Sequence, residues 1–444
     1  MNSQLLQWKE WKIPAGCEHR FEVPFDCEST SPFTFKLVEG QAEIFGSELA
    51  PGREYSVSGC KLAIFSFTGA RISYQGGPCS VEYLSSEAPV AQESLLNLNL
   101  ALEGHFKKTG KVPRVLLLGA GRNSVARTLT NYSARRIEDE GKMKPILVDL
   151  DVSNGTVCLP GTLAAVSPDR PLEIEEAWHS QPQAQIISLF YGSTVVADNP
   201  KVYGRLCEKM GEIVKKRSEE STGLTSVVYV IAPNEVSNEA TATNQSTKAL
   251  LLSLQKNFNI DHILVIGNER LHVTVSKHFA EESSEVKVLK IPRSGGIVSK
   301  DSAFRRQSQS KAFKSYFYGP RQEFHPFSLT IPFGSLVIYR VADATALAPS
   351  SALPLGATRK IDSSKLTKVT ELNTSQLLYS ILAVMPASAD DSDEFEGALE
   401  SPIAGFLHVL EVDEGKQNLT VLSPCPGALP SKFLLLASLK WIEK

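Results

Sequence analysis

The chain lacks most of what marks the specialised classes of protein. No run approaches the roughly 20 apolar residues that a helix needs to cross a bilayer, so no membrane span is expected. The first residues, Met1 to Lys12, are polar and have no apolar core of the kind a secretory signal carries. Cysteine is sparse: seven residues scattered over 444 positions, odd in number and never spaced as C-x-x-C. That argues against a disulfide framework or a zinc site, and the eight histidines show no metal-ligand spacing. An excess of one charge is missing too. With 46 basic and 49 acidic side chains the net charge is −3, so no overall basic field holds nucleic acid nonspecifically. RNA contact then has to come from a local patch or through a partner. Together these absences predict a soluble, intracellular protein with free thiols.

What is present is ordinary globular material, 42% hydrophobic and 21% charged, enough for two to four domains of about 100–200 residues. From about Trp11 to Ser86 the pattern alternates with period two and breaks at glycine turns. Phe33–Val38, Ala42–Phe45, Leu62–Phe67 and Ile72–Tyr74 read as short strands of a β-sandwich. Leu95, Leu96, Leu98, Leu102 and Phe106 fit a helix leading to Lys111-Val-Pro113. From Arg114 to about Gly319 strands and helices alternate. Strands are predicted at 115–118, 146–151, 185–190, 226–232, 262–267 and 286–291, and helices at 124–137, 200–217 and 240–257. Such alternation implies a mostly parallel sheet with ligands at the carboxyl ends of its strands. Beyond Pro320 comes a mixed region, with Ser328–Tyr339, a helix-like Thr374–Val384, strands at 406–412 and 419–422, and an acidic loop at 389–396. The expected architecture is a multidomain α/β chain: an N-terminal β-sandwich over 1–98, a central P-loop-type domain over 99–319 and a small mixed C-terminal domain over 320–444.

The chemistry gathers where Val115-Leu-Leu-Leu118 runs into Gly119-Ala120-Gly121-Arg122-Asn123-Ser124. A strand passing through glycine into a helix points backbone N–H groups and the helix dipole at a phosphate. A working P-loop from Gly119 reads G-x-x-x-x-G-K-[ST]; this chain has Ser124, Val125 and Ala126 in the last three places. The residues alone leave three readings open: a plain strand-to-helix turn, a decayed P-loop, or a Rossmann turn missing its third glycine. Asp149 and Asp151, at the end of the next strand, suit magnesium or a hydroxyl base, and equally a turn acid beside Ser153-Asn154-Gly155. Arg305-Arg306 suits a phosphate clamp, and equally a solvated helix face.

Read together, these residues resemble one family along nearly the whole chain, the polynucleotide-kinase-like P-loop subunit of the pre-mRNA cleavage factor. The resemblance is carried by Glu18-His-Arg-Phe-Glu-Val23, Ala42-Glu-Ile-Phe-Gly-Ser-Glu-Leu49, Cys60–Phe65, Arg127-Thr-Leu-Thr-Asn-Tyr132, Val148–Val152, Leu159-Pro-Gly-Thr162 and Tyr191-Gly-Ser-Thr194. Asn268–Leu271, Ser294-Gly-Gly-Ile297, Phe304-Arg-Arg306, Tyr316-Phe-Tyr-Gly319 and the tail Leu419–Leu436 extend it. It implies ATP clamped between the N-terminal and central domains, with Glu18 and Lys61 at the base end. It also implies a nuclear protein docked to other cleavage-factor subunits, including the scaffold subunit that reads the polymerase tail, with RNA reached indirectly and no role for DNA or membrane.

The departures matter as much. Between Gly119 and Arg127 the chain is about three residues shorter than the P-loop pattern of the family it resembles. The lost lysine removes a contact of about 1.5–3 kcal/mol, ten- to a hundred-fold in affinity, and the lost hydroxyl removes a magnesium ligand. Arg122 is a planar fork and a poor mimic of an ammonium. The Thr-x-Gly-Trp segment of the family's kinases is absent from Tyr229–Glu235. The expectation is a non-catalytic scaffold subunit with no assigned catalytic residue and no resident metal. Its vestigial nucleotide site comprises Glu18, Lys61, Gly119, Ala120, Gly121, Arg122, Asn123, Ser124, Asp149, Asp151, Arg305 and Arg306, and binds ATP, with magnesium, weakly or not at all. An ATP-dependent polynucleotide 5′-hydroxyl kinase is the alternative, and a dinucleotide-dependent oxidoreductase a remote one.

Overall fold

The computed structural model describes residues 8–25, 32–77, 79–87, 89–135, 144–176, 185–220, 225–282, 285–298, 300–341, 366–386 and 395–443. The N-terminal strands form two sheets. One holds Lys9–Ile13, Ala70–Gln75, Phe33–Gly40 and Glu54–Val57, and the other is built around Cys17–Val23 and Cys60–Ser66, with Val81–Ser85 at its edge. Phe21, Phe33, Phe35, Tyr55, Ile64 and Ile72 close the space between them. Alternation along Cys17–Val23 sends His19 and Phe21 into this core, where His19 stacks on Trp11 at 3.9 Å. Glu18, Arg20 and Glu22 are thereby turned to the opposite face.

The helix Pro89–Thr109 leads into a seven-stranded sheet of order 185–190, 162–167, 144–149, 225–231, 114–119, 262–266, 287–291. Five strands are parallel, and Thr162–Ser167 and Gln185–Phe190 add antiparallel at one edge. Val115 to Leu118, Val228 to Ile231 and Ile263 to Val265 are fully buried, as expected for strands covered on both faces. The sheet places the ends of Arg114–Gly119, Lys144–Asp149 and Thr225–Ile231 side by side.

Several boundaries differ from expectation for identifiable reasons. The strand expected over 146–151 ends at Asp149, because its carboxylate accepts the Asp151 N–H at 3.0 Å and turns the chain. The strand Thr162–Ser167 was not anticipated. The helix expected from 124 begins at Arg122. Thr374–Val384 is not one helix: a single turn, Thr374–Leu377, is followed by Tyr379 at φ 62° and the strand Ile381–Val384. Residues 389–394 of the acidic stretch lie outside the described residues, and Phe395–Leu399 is helical. The C-terminal strands form a seven-stranded sheet with mixed pairing. Cys17, Cys60, Cys158, Cys207 and Cys425 are free thiols, and no helix among the described residues is long and apolar enough to cross a membrane.

Two of the segments that carried the resemblance prove to be halves of one interface. Asn131 Nδ2 donates to the Phe45 carbonyl at 2.8 Å and to Leu172 O, while its own Oδ1 accepts Leu172 N–H at 2.9 Å. Tyr132 donates to Glu43 at 2.5 Å, and Arg135 pairs with the same carboxylate at 3.1 Å. Gly46, at φ 75°, comes so close that an added Cβ would sit 2.8 Å from Thr128 O. The helix that follows the glycine turn is thus fixed to the N-terminal sandwich through buried polar groups. Asn131→Ala removes a donor pair and an acceptor from a fully buried position. It is expected to cost about 1–3 kcal/mol, read as a lower urea midpoint with both domains unfolding earlier. An unchanged midpoint would show that the interface contributes nothing to stability.

Candidate nucleotide site

The strand Arg114–Gly119 and the helix Arg122–Arg135 are joined by Ala120 and Gly121 alone. Both glycines are required where they stand. Gly119, at φ 97°, would carry a Cβ 2.8 Å from Ile266 O, and Gly121, at φ 87°, one 2.3 Å from Ile297 Cδ1. The second contact shows what covers the turn: the face of Gly121 meets a side chain of this same chain. With two linking residues the backbone cannot wrap its N–H groups around a phosphate. Ala120 is exposed, and Asn123 spends its amide on Thr156 Oγ1 at 2.7 Å. Ser124 accepts from Thr128 through its carbonyl at 2.9 Å.

Arg122 stands at the helix start but points inward. Its side chain is 8% exposed. Nε donates to Ala232 O at 2.6 Å, and the guanidinium reaches Asp151 Oδ2 at 2.5 Å and Asn234 Oδ1 at 2.8 Å, with a longer contact to Gly119 O at 3.4 Å. One planar fork therefore ties together the ends of three neighbouring strands. Asp151 Oδ1 accepts from Ser153 Oγ at 2.7 Å, and Oδ2 accepts from Asn154 Nδ2 at 2.5 Å as well as from Arg122. Asp149 is a backbone staple, accepting from Asp151 N, Thr156 N and, at 3.4 Å, Val157 N. Burial, and next the charge of Asp151, push its carboxyl up to about 7 against the pull of these donors.

At the other end, Glu18 is buried, at 1% exposure. It accepts Arg20 Nε at 2.5 Å and Ser294 Oγ at 3.1 Å. Gly295 and Gly296 lie flat against the Arg20 guanidinium, where a Cβ would approach to 3.1 and 2.9 Å. Glu18 and Arg20 thus hold the 294–297 loop whose Ile297 covers Gly121. Lys61 pairs with Glu22 at 3.0 Å. Arg305 and Arg306 are exposed on the first turns of the helix Ser302–Tyr318; no ion pair joins them to Asp149 or Asp151 among the described residues. Arg20, Ile297 and Asn234 were not anticipated as parts of the site, although Arg20 and Ile297 lie within segments that carried the resemblance.

Magnesium and ATP phosphates do not fit this arrangement. The acid that would take the metal already holds a guanidinium, the arginine that follows Gly121 is turned away from solvent, and Ile297 lies against Gly121. Removing Arg122 would leave Asp151 with a buried, partly answered charge, so Arg122→Ala is expected to cost about 3–5 kcal/mol. Arg122→Lys, with one ammonium for a fork that serves four acceptors, should recover only part of it in urea unfolding. Asp149 provides a separate check. An acid whose pKa is higher folded than unfolded binds its proton more tightly when folded. Its contribution is fully present below about pH 4 and is lost as pH rises through 7. Wild-type unfolding midpoints should therefore fall between pH 4 and 7 relative to Asp149→Asn; parallel profiles would contradict the raised pKa.

Comparison with known proteins agrees with this reading of the fold along the whole chain. Residues 12–108 match the N-terminal β-sandwich domain of polyadenylation factor, 119–319 the P-loop domain of mRNA cleavage and polyadenylation factor CLP1, and 324–443 the pre-mRNA cleavage complex II protein Clp1. The chain is 32% identical to a protein CLP1 homolog of Dictyostelium discoideum over 96% of its own length and 88% of that protein's. It is 31% identical to the polyribonucleotide 5′-hydroxyl-kinase Clp1 of Homo sapiens over 96% of each chain. Among solved structures it superposes on Clp1p in complexes with Pcf11p. One of these, described for its extended interface and for ATP loss in a glycine-to-arginine point mutant, gives a TM-score of 0.82 at 22% identity, covering 98% of this chain and 99% of that one. By sequence over nearly its full length and by domain order, the chain belongs to the Clp1 family of pre-mRNA cleavage complex II proteins.

Proposed function

We propose that this chain is a non-catalytic scaffold subunit of the nuclear pre-mRNA 3′-end cleavage and polyadenylation machinery, with its phosphate site filled by its own side chains. The observation that carries the proposal is the Arg122–Asp151 pair, 2.5 Å long and buried on both sides. Phosphoryl transfer depends on positioning and on neutralising charge with metal and cation, and here the cation and the acid neutralise each other. A relative bound to Pcf11p loses ATP when an arginine replaces a glycine. An arginine directly after Gly121 would act here in the same sense. The scaffold role is supported by that relative's complex, and its natural partner is a cleavage-factor subunit of the same kind.

A second reading, a polyribonucleotide 5′-hydroxyl kinase, is favoured by the activity named for the vertebrate relatives and by the retention of Asp149 and Asp151. One assay separates the two. The purified chain incubated with 5′-hydroxyl RNA, magnesium and γ-labelled ATP is expected to transfer no label above a heat-killed control. Transfer abolished by Asp151→Ala would establish the kinase. The scaffold claim is tested by pull-down from nuclear extract of the source cells: cleavage-factor subunits are expected to co-purify, and their absence would overturn the assignment.

A further inference from the structure

A free sheet edge invites another strand, and proteins guard theirs with charge, proline or a covering group. At the edge strand Glu54–Val57, the Ser56 N–H is taken by Glu175 Oε1 at 2.6 Å. At Gln185–Phe190, Arg217 donates to Gln185 O and the Ile403 N–H to Ser188 O, both at 3.0 Å. Lys9–Ile13 turns Lys9, Glu10 and Lys12 to solvent. Val81-Glu-Tyr-Leu-Ser85, at the edge of the second N-terminal sheet, is open by comparison. It holds no lysine, arginine or proline, and no other strand or loop among the described residues bonds its outer backbone groups. Val81, Tyr83 and Leu84 are 42, 44 and 48% exposed, so the strand is apolar as well as free.

The register fixes what each side chain offers. Val81, Tyr83 and Ser85 stand opposite Glu22, Arg20 and Glu18, while Glu82 and Leu84 stand opposite Phe21 and His19. Directly opposed residues share a face. Glu82 and Leu84 are therefore on the side of the sandwich core, where Phe21 belongs, and Tyr83 is on the outer side. Leu84 lies at the lip of that core, and the facing sheet leaves it uncovered. Tyr83 is held in place: Arg20 donates to its hydroxyl at 3.3 Å and lies 5.5 Å from its ring centroid. The cations near this edge are engaged, Arg20 with Glu18 and Lys61 with Glu22. Glu82 has no ion pair among the described residues. A strand laid outside Val81–Ser85 would close the core over Leu84, stack on Tyr83 and meet an unanswered acid.

We propose that Val81–Ser85 is the docking edge for an extended segment of another protein, basic opposite Glu82, aromatic opposite Tyr83 and aliphatic opposite Leu84. Main-chain hydrogen bonds along the free edge supply affinity, and the alternating side chains select the segment. The acid decides between a foreign strand and a second copy of this chain. Antiparallel self-pairing centred on Tyr83 would set the two Glu82 carboxylates on one face at the diagonal spacing of about 7–8 Å, where they repel. A basic partner turns the same position into an attraction. The inference goes beyond the scaffold reading and does not depend on whether the phosphate site is closed.

The test is fluorescence anisotropy of a labelled synthetic peptide, reading Thr-Val-Tyr-Lys-Thr at its centre, on the full-length chain. Wild type is expected to bind it saturably. Leu84→Lys should bind about ten-fold more weakly, with an unchanged urea midpoint because the residue is exposed at an edge. Glu82→Lys should weaken the same peptide by roughly two- to five-fold and strengthen one carrying glutamate for lysine by as much. Two versions of the peptide, N-methylated at one or the other alternate set of residues, separate strand pairing from side-chain contact. The set whose N–H groups face the edge should abolish binding and the other should keep it. No saturable binding by wild type, equal binding by both N-methylated peptides, or affinities unmoved by the charge exchange would overturn the proposal. A wild-type chain that sediments as a dimer, and is dissociated by Leu84→Lys, would overturn it in favour of a second copy.

Discussion

The buried pair of Arg122 and Asp151 is the contact on which the rest of the central domain depends. A parallel sheet brings the ends of its strands together at one edge, and the carbonyls and acids there need donors. In a P-loop protein a nucleotide and its metal supply part of that need. Here one guanidinium does so, holding Gly119, Asp151, Ala232 and Asn234 from a single helical position. Buried ion pairs are costly to assemble and far costlier to half-break. An incoming triphosphate would have to displace the guanidinium from Asp151 without a wrapped loop to repay the exchange.

The second constraint is the way the N-terminal sandwich is fixed. Its Glu43–Gly46 turn is bonded to the helix that begins at Arg122, and its Glu18–Arg20 pair grips the 294–297 loop. Ile297 and Gly121 meet as a consequence. The N-terminal sandwich therefore holds both the helix that follows the turn and the loop that lies against it. Glu18, for which the resemblance implied a place at the base end of a nucleotide site, is here bonded to Arg20 and to the loop whose Ile297 lies against Gly121.

Much of this was legible in the sequence. Continuous apolar runs such as Val115–Leu118 and Val227–Ile231 identify strands buried on both faces, and the shortened glycine turn was visible by counting. Thr374–Val384 was misread because Ile381-Leu-Ala-Val384 has no periodicity that separates a buried strand from a helix; the positive φ at Tyr379 decides it. Thr162–Ser167 was missed because its alanines carry little strand signal. The direction of Arg122 was not legible either. An arginine at a helix start can face a phosphate or the protein, and the choice depends on Asp151, Ala232 and Asn234, which only the folded sheet brings within reach. Asp149 and Asp151 likewise looked alike in sequence, yet one staples backbone and the other holds a guanidinium.

The most direct test of the account is calorimetric titration of ATP with magnesium into the purified full-length chain. If Arg122 and Ile297 fill the phosphate site, no saturable heat is expected at millimolar nucleotide. Micromolar binding would contradict the account, because it would require the guanidinium to leave Asp151 and the two-residue turn to cradle a phosphate after all.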